Sequence, residues 1–206
     1  MPTEHPRLRP PSWPGLLLAA LTLAGCQGAG PKEAAAVVHL EPAKFGGLKS
    51  CFQWGAMYLG SVPGPEELEL AARRGVGLLL DLRQAPGPDR DLALQARDLG
   101  MDYIHAPIDP EQLADAEVDQ ALAALEDAGD RPPLLFCETG SRAAMVAALF
   151  RIERQPDSLE ASIEDARRAG MKPGTSESAL RRQAARLIAG DISTQPAGWS
   201  GPPPAR

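Results

Sequence analysis

The sequence predicts an α/β domain with a mostly parallel central sheet flanked by helices. Short apolar runs bounded by Gly or charged residues recur at 76–82, 101–108 and 133–137, and each is followed by a stretch with helical spacing. Strands that alternate with helices pair in parallel, because each crossover lays its helix on a face of the sheet. The run Val76-Gly77-Leu78-Leu79-Leu80 shows no alternation of apolar and polar residues. That suits a strand covered on both faces.

The elements follow in order. Residues 52–62 read as a first strand and turn. Pro65, Glu66 and Glu67 then open a helix that runs to Arg74, with Gly75 past its end, the usual placement of Pro inside a start and Gly beyond a stop. After the strand at 76–82, residues 89–99 form a helix stopped by Gly100, and 101–108 form the second inner strand. Residues 110–128 form a long helix whose Leu113, Val118, Ala121, Leu122 and Leu125 lie mostly on one stripe. The third inner strand, 133–137, leads through a Gly-containing turn into a helix ending at Arg154, and helices at 158–169 and 176–189 complete the domain. Right-handed crossovers are expected, and no internal repeat is evident.

The chain divides by composition. Arg7 and Arg9 outweigh Glu4 ahead of the apolar run 16–24, which is shorter than the roughly 20 residues that span a bilayer. A basic start, a short apolar core and small residues make residues 1–25 a signal peptide. Leu23-Ala24-Gly25-Cys26 resembles the bacterial lipobox, which implies acylation of Cys26 and attachment to the cell envelope by a lipid anchor. In Gram-negative lipoproteins a second residue such as Gln27 implies the outer membrane. Residues 26–50 read as a flexible tether, 51–190 as the domain and 191–206 as a Pro/Gly-rich tail. Of the 206 residues, the domain takes about 140, a common single-domain size. The formal charge is −6 and the basic residues are scattered, so no footprint for nucleic acid is present.

Chemistry concentrates after the third inner strand, in Cys137-Glu138-Thr139-Gly140-Ser141-Arg142-Ala143. An apolar strand delivers a Cys into a small-residue loop that opens a helix. Amides of such a loop and of the first helical turn can converge on oxyanion oxygens, Gly140 permits a tight path, and Arg142 offers a two-pronged donor. The same field favours the thiolate, the nucleophilic form of Cys137.

This loop resembles the short form of the Cys-dependent phosphatase signature, Cys-x-x-x-x-Arg. It is similar to bacterial phosphatase-like domains found alone or fused to beta-lactamase-like hydrolases. Leu59-Gly60-Ser61-Val62-Pro63, Arg74-Gly75-Val76, Leu80-Asp81-Leu82-Arg83 and Tyr103-Ile104-His105-Ala106-Pro107-Ile108 look like the successive segments of dual-specificity-type phosphatases. The resemblance implies that fold. It also implies hydrolysis of phosphomonoesters, on a protein or a small molecule, through a phosphocysteine at Cys137. Oxygens would be held by residues 138–143, namely Glu138, Thr139, Gly140, Ser141, Arg142 and Ala143. The larger phosphatase family has His before the Cys, five residues between Cys and Arg, and often Ser or Thr after the Arg. Here Phe136, four residues and Ala143 stand in those places. Glu138 is expected to point to solvent, since a carboxylate turned inward would repel a dianion.

The short loop is shared with rhodanese sulfurtransferases, so sulfur transfer through a Cys137 persulfide is a second reading. A non-catalytic anion-binding module is a third. In the resembling phosphatases a general acid follows the second inner strand, which makes Asp109 the first candidate and Asp115 the second. Asp109-Pro110-Glu111 also reads as a helix cap and first turn. Asp81 and Arg83 read as strand-end polar residues, although Arg83 could reach the same rim, and His105 reads as a structural residue within a strand. The scattered three His and three Cys show no metal-ligand spacing, and no cofactor is expected. Cys51 and Cys137 make an exported domain a disulfide candidate; a permanent bridge would waste the anion cradle around Cys137 and needs Cα atoms within roughly 7 Å, and a reversible bridge is the alternative.

The anchor has a direct check. The mature protein should partition with membranes and carry acyl chains on Cys26, and Cys26→Ala should release it. Fractionation and mass spectrometry of the N-terminal peptide measure this, and a soluble wild-type protein with unmodified Cys26 removes the reading.

Overall fold

The computed structural model describes residues 39–85 and 90–194. Cys26, the expected signal peptide and most of the expected tail therefore lie outside the described residues. Six strands form one sheet in the order β1-β2-β3-β6-β4-β5. They are β1 (Glu41–Pro42), β2 (Phe52–Trp54), β3 (Met57–Gly60), β4 (Leu78–Asp81), β5 (Asp102–His105) and β6 (Pro133–Phe136). The helices are α1 (Pro65–Arg73), α2 (Arg90–Asp98), α3 (Asp115–Ala128), α4 (Ser141–Arg154), α5 (Leu159–Arg168) and α6 (Thr175–Thr194). Strands β3, β6, β4 and β5 run parallel, while β1 and β2 add an antiparallel edge. The mostly parallel sheet expected from the sequence is present.

Side chains alternate across each strand, and the alternation sorts them into two cores. Leu78, Leu80 and Leu135 face Val118 and Leu122 of α3, Met145 and Leu149 of α4, Ile163 of α5 and Leu180 of α6. Leu79, Leu134 and Phe136 face Leu68 and Ala71 of α1 and Leu92 and Ala96 of α2. Helix α4 lies deepest. Nine of its residues are buried, including Ala143, Ala144, Ala147 and Ala148, whose small side chains let neighbours close in on nearly every side. A helix covered all round reads in sequence as broadly apolar rather than striped.

Several boundaries differ from the sequence reading. The first strand is a hairpin, β2 and β3 joined by Gly55 and Ala56, with Gly55 at φ 57°. The tether does not extend to residue 50. Leu40 and Phe45 are buried, and β1 pairs with β2, so residues 39–50 belong to the fold despite their small-residue composition. Helix α6 continues to Thr194, past the boundary drawn at 190. The long helix begins at Asp115 rather than Pro110. One turn forms after Asp109, whose carbonyl accepts from the Leu113 amide, and Leu113 then takes φ 46° and breaks the run. Its carbonyl is met by Gln183 Nε2 at 2.5 Å, and its side chain is wholly buried, which holds the break in place. Among the described residues no helix is long and apolar enough to cross a membrane.

Asp165 on α5 fastens the N-terminal segment to this frame. It is 4% exposed and accepts from Arg151 Nη1 of α4 at 2.8 Å, from the Leu40 amide at 3.1 Å and from Arg168. His39 Nδ1 lies 3.1 Å away. Burial raises this carboxyl, but the hydrogen bonds from Arg168, Arg151 and His39 outweigh it and hold it below the usual carboxylate range. The folded state therefore binds fewer protons here than the unfolded chain. Its contribution to stability is full above the unfolded carboxyl value near 4 and is lost as pH falls below it. Asp165→Ala leaves Arg151 charged and buried, a loss on the order of 3–5 kcal/mol. Urea denaturation at neutral pH should show that loss, and the difference from wild type should shrink as the pH is lowered below about 4.

Candidate active site

The C-terminal ends of β3, β6, β4 and β5 align at one edge, with Gly60 beside Phe136, Phe136 beside Asp81, and Asp81 beside His105. Ligands in open α/β sheets sit outside this edge. Cys137 is the first residue past β6, 1% exposed, its amide donating to the Gly60 carbonyl at 3.3 Å. Three residues later Gly140 turns the chain at φ 90° and caps α4. The Gly140 amide points back and donates to Cys137 Sγ at 3.2 Å. A side chain on Gly140 would meet the Ser50 carbonyl oxygen at 3.1 Å and Gly60 backbone at 3.5 Å. Left-handed geometry and close backbone neighbours both demand glycine there.

Arg142 completes the loop on the first turn of α4. Its Nη1 donates to the Leu82 carbonyl at 3.1 Å, tying the loop after β6 to the loop after β4. Its Nη2 lies 3.0 Å from Glu138 Oε2. Glu138 is half exposed, yet it does not simply face water as expected from the sequence. The guanidinium, only 17% exposed, holds it in an ion pair. Thr139 and Ser141 hydroxyls pair at 3.1 Å above Gly140, and Ala143 is buried in the helix behind them.

A cleft of about 440 Å³ opens beside the loop, lined by Thr139, Ser141 and Arg142 together with Ser50, Pro110, Glu111 and Lys172. Ser50, Glu111 and Lys172 arrive from separate loops, and no local pattern marks them in the sequence. A more apolar cavity of about 320 Å³, between Trp54, Leu125 and Phe150, lies at the other end of the sheet near Pro133. It holds no nucleophile among its lining residues.

The acid candidates part company. Asp109 is half-buried at the rim, next to the cleft-lining Pro110, and its Oδ1 accepts from the amides of Glu111 at 2.8 Å and Gln112 at 3.3 Å. It caps the short turn. Asp115 turns toward α6, accepting from Gln183 Nε2 at 2.6 Å and lying 3.5 Å from Arg186 Nε. Arg83 does not reach the rim. It is buried against Asp81, with Nε to Oδ1 at 3.0 Å and Nη2 to Oδ2 at 2.7 Å, and its guanidinium lies 5.6 Å from the Phe136 ring centre. Tyr103 donates to Asp81 Oδ2 at 2.7 Å. Burial raises the Asp81 carboxyl, but Arg83 and Tyr103 hold it below its ordinary value, while burial and Asp81 push the Tyr103 phenol up to about 12. His105 Nε2 meets the Arg83 carbonyl at 2.7 Å, the structural role read from the sequence. Cys51 and Cys137 are both free, and no cluster of potential metal ligands occurs among the described residues.

Residues 62–153 match the model of the family described as the phosphatase-like domain of beta-lactamase hydrolase-like proteins. That span contains the whole Cys137–Arg142 loop. No curated protein sequence matches the chain. Among solved structures, the fold is similar to a candidate phosphatase of Shewanella putrefaciens CN-32 at 17% identity and TM-score 0.58, covering 70% of this chain and 94% of that one. It is similar to PTPMT1 at 18% identity and TM-score 0.57, covering 67% and 95%. It is also similar to TpbA of P. aeruginosa at 19% identity and TM-score 0.55, covering 75% and 91%. The architecture is that of dual-specificity phosphatase-like proteins.

The geometry makes Gly140 a sensitive position. Gly140→Ala forces a strained left-handed backbone, at a cost of about 1–3 kcal/mol, and moves the Gly140 amide off Cys137. Thermal denaturation should show the loss, and stabilisation of the fold by added phosphate should disappear with it. An unchanged melting temperature together with retained phosphate stabilisation would contradict this account of the turn.

Proposed function

We propose that the protein is a Cys-dependent phosphatase that hydrolyses phosphomonoesters through a phosphocysteine intermediate. The observation that carries this reading is the Gly140 amide aimed at Cys137 Sγ from the start of α4, with Arg142 on the same turn. Anions favour such a terminus because its first amides have no partner within the helix and the helix dipole is positive there. The family match adds support, as does the fold shared with TpbA, which has been solved with phosphotyrosine, and with PTPMT1, solved with PI(5)P.

In the proposed reaction the Cys137 thiolate attacks phosphorus as the ester P–O bond breaks. Loop amides and Arg142 hold the non-bridging oxygens, and the leaving oxygen takes a proton from Asp109. Water then attacks phosphorus, gives a proton to the Asp109 carboxylate and breaks the P–S bond, releasing inorganic phosphate and restoring the thiolate and the acid. Asp109 sits at the correct edge, and its capping role does not conflict with a test of its acidity. Asn keeps the acceptor oxygen that caps Glu111 and Gln112 but has no proton to give. The lipobox adds a place to the proposal, with the domain held at the envelope by acyl chains on Cys26.

The test uses the full chain, reduced and in mild detergent, assayed with aryl and alkyl phosphates and separately with thiosulfate and cyanide. Phosphate release should dominate and vanadate should compete. Cys137→Ser should abolish turnover, and Arg142→Ala should lower it by the few kcal/mol that oxyanion donors supply, about 2.7–4. Asp109→Asn should slow alkyl esters about 10²-fold and spare aryl esters, with the melting temperature unchanged. Thiocyanate formation without phosphate release would identify a sulfurtransferase. Neither activity, with phosphate still stabilising the fold, would leave an anion-binding module.

A further inference from the structure

The two outer nitrogens of Arg142 are both engaged, but by different kinds of partner. Nη1 is fixed on a backbone carbonyl, that of Leu82, at 3.1 Å. Nη2 is held by the side chain of Glu138, at 3.0 Å. A carboxylate and a phosphate present the same paired oxygens to a guanidinium. Glu138 therefore occupies the edge of Arg142 that an incoming oxyanion needs. It is also the residue next to the nucleophile, and it is 54% exposed on a side chain free to swing outward. The rest of the cleft does not offset it. The charged residues that line the cleft are Arg142, Lys172 and Glu111, and with Glu138 paired to Arg142 the formal charges of the four cancel.

Resting on the phosphatase reading of Cys137, we propose that Glu138 is a built-in competitor for Arg142 that sets the charge selectivity of the site, disfavouring dianions relative to singly charged oxyanions. An anion must displace the Glu138 carboxylate from Nη2, and the displaced carboxylate stays beside the loop. The displacement is the same for every anion, but the remaining repulsion is twice as large for a doubly charged ligand as for a singly charged one. The substrate class that fits is a phosphate ester bearing a single charge at the reacting phosphorus, and fully ionised monoesters bind with a handicap that Glu138 alone imposes.

The test compares sulfate, a dianion at neutral pH, with methanesulfonate, a monoanion of similar shape, by calorimetry on the full reduced chain in mild detergent. In Glu138→Gln, sulfate should bind about tenfold tighter, equivalent to 1.4 kcal/mol, and methanesulfonate by about threefold. The ratio between the two ligands is the signature, because a merely structural role for Glu138 would move both alike. Glu138→Ala should give the same order and serves as the second variant if the first folds poorly. Sulfate that binds through Arg142 but equally or more weakly in both Glu138 variants would show that Glu138 orients Arg142, and would overturn this proposal while leaving the phosphatase reading intact. Sulfate that fails to bind wild type and variants, or binding that survives Arg142→Ala, would remove the phosphatase reading and this inference with it.

Discussion

Everything at the candidate site depends on the left-handed turn at Gly140. Strand β6 ends at Phe136 and α4 begins at Ser141, so four residues must reverse the chain and aim its amides inward. A side chain at Gly140 would press on the Ser50 carbonyl oxygen at 3.1 Å and on Gly60, and would force them to shift. The same contact explains why the segment before β2 belongs to the fold. Ser50 supplies one wall of the turn, and Lys49 and Ser61 lock that wall by reciprocal bonds, amide to hydroxyl at 3.1 Å and amide to carbonyl at 3.3 Å. The edge strands are thus part of what shapes the loop, not an appendage to the sheet.

The second support lies under the rim. Asp81 and Arg83 close a buried pair two residues apart, and Tyr103 and His105 from β5 hydrogen-bond to its two ends. A buried ion pair is weak as a source of net stability, because desolvation consumes much of the attraction. Its effect here is positional. With Arg83 held inward, the backbone at Leu82 is presented to the loop, where its amide meets the Phe136 carbonyl at 3.0 Å and its carbonyl meets Arg142. The Cys137–Arg142 loop is therefore braced on the β3 side through Gly60 and on the β4 side through Leu82. Such bracing keeps donors aligned before a ligand arrives, which is what electrostatic stabilisation of a transition state requires.

The fold was legible because its signals are local. Apolar runs bounded by breakers located β4, β5 and β6, and Pro65 with Gly75 bracketed α1 to within a residue. The loop was legible for the same reason, since Cys137, Gly140 and Arg142 lie within six consecutive residues. What was not legible depends on contacts distant in sequence. The break at Leu113 is stabilised by Gln183, seventy residues away, and the periodicity around Leu113 is helical on both sides. The segment at 39–50 carries a composition typical of linkers, while Leu40 is held by Asp165 at a separation of 125 residues. Lys172 and Glu111 reach the cleft only through the packing of their loops. The charge of Glu138 alone points it to solvent, whereas the ion pair with Arg142 decides its position.

The two thiols show how such packing divides chemistry between identical groups. Cys51 is buried among Phe45, Leu68 and Phe136, and that burial raises its thiol above the ordinary value although Arg74 pulls the other way. A thiol kept neutral is a poor nucleophile toward disulfides and phosphorus alike. Cys137 is as deeply buried and also packs among apolar side chains, but the Gly140 N–H points at its sulfur. Burial alone does not set reactivity; what the sulfur meets inside does. The Gly140 amide therefore distinguishes the sulfur of Cys137 from that of Cys51, whose neighbours are apolar and whose thiol is kept protonated by burial.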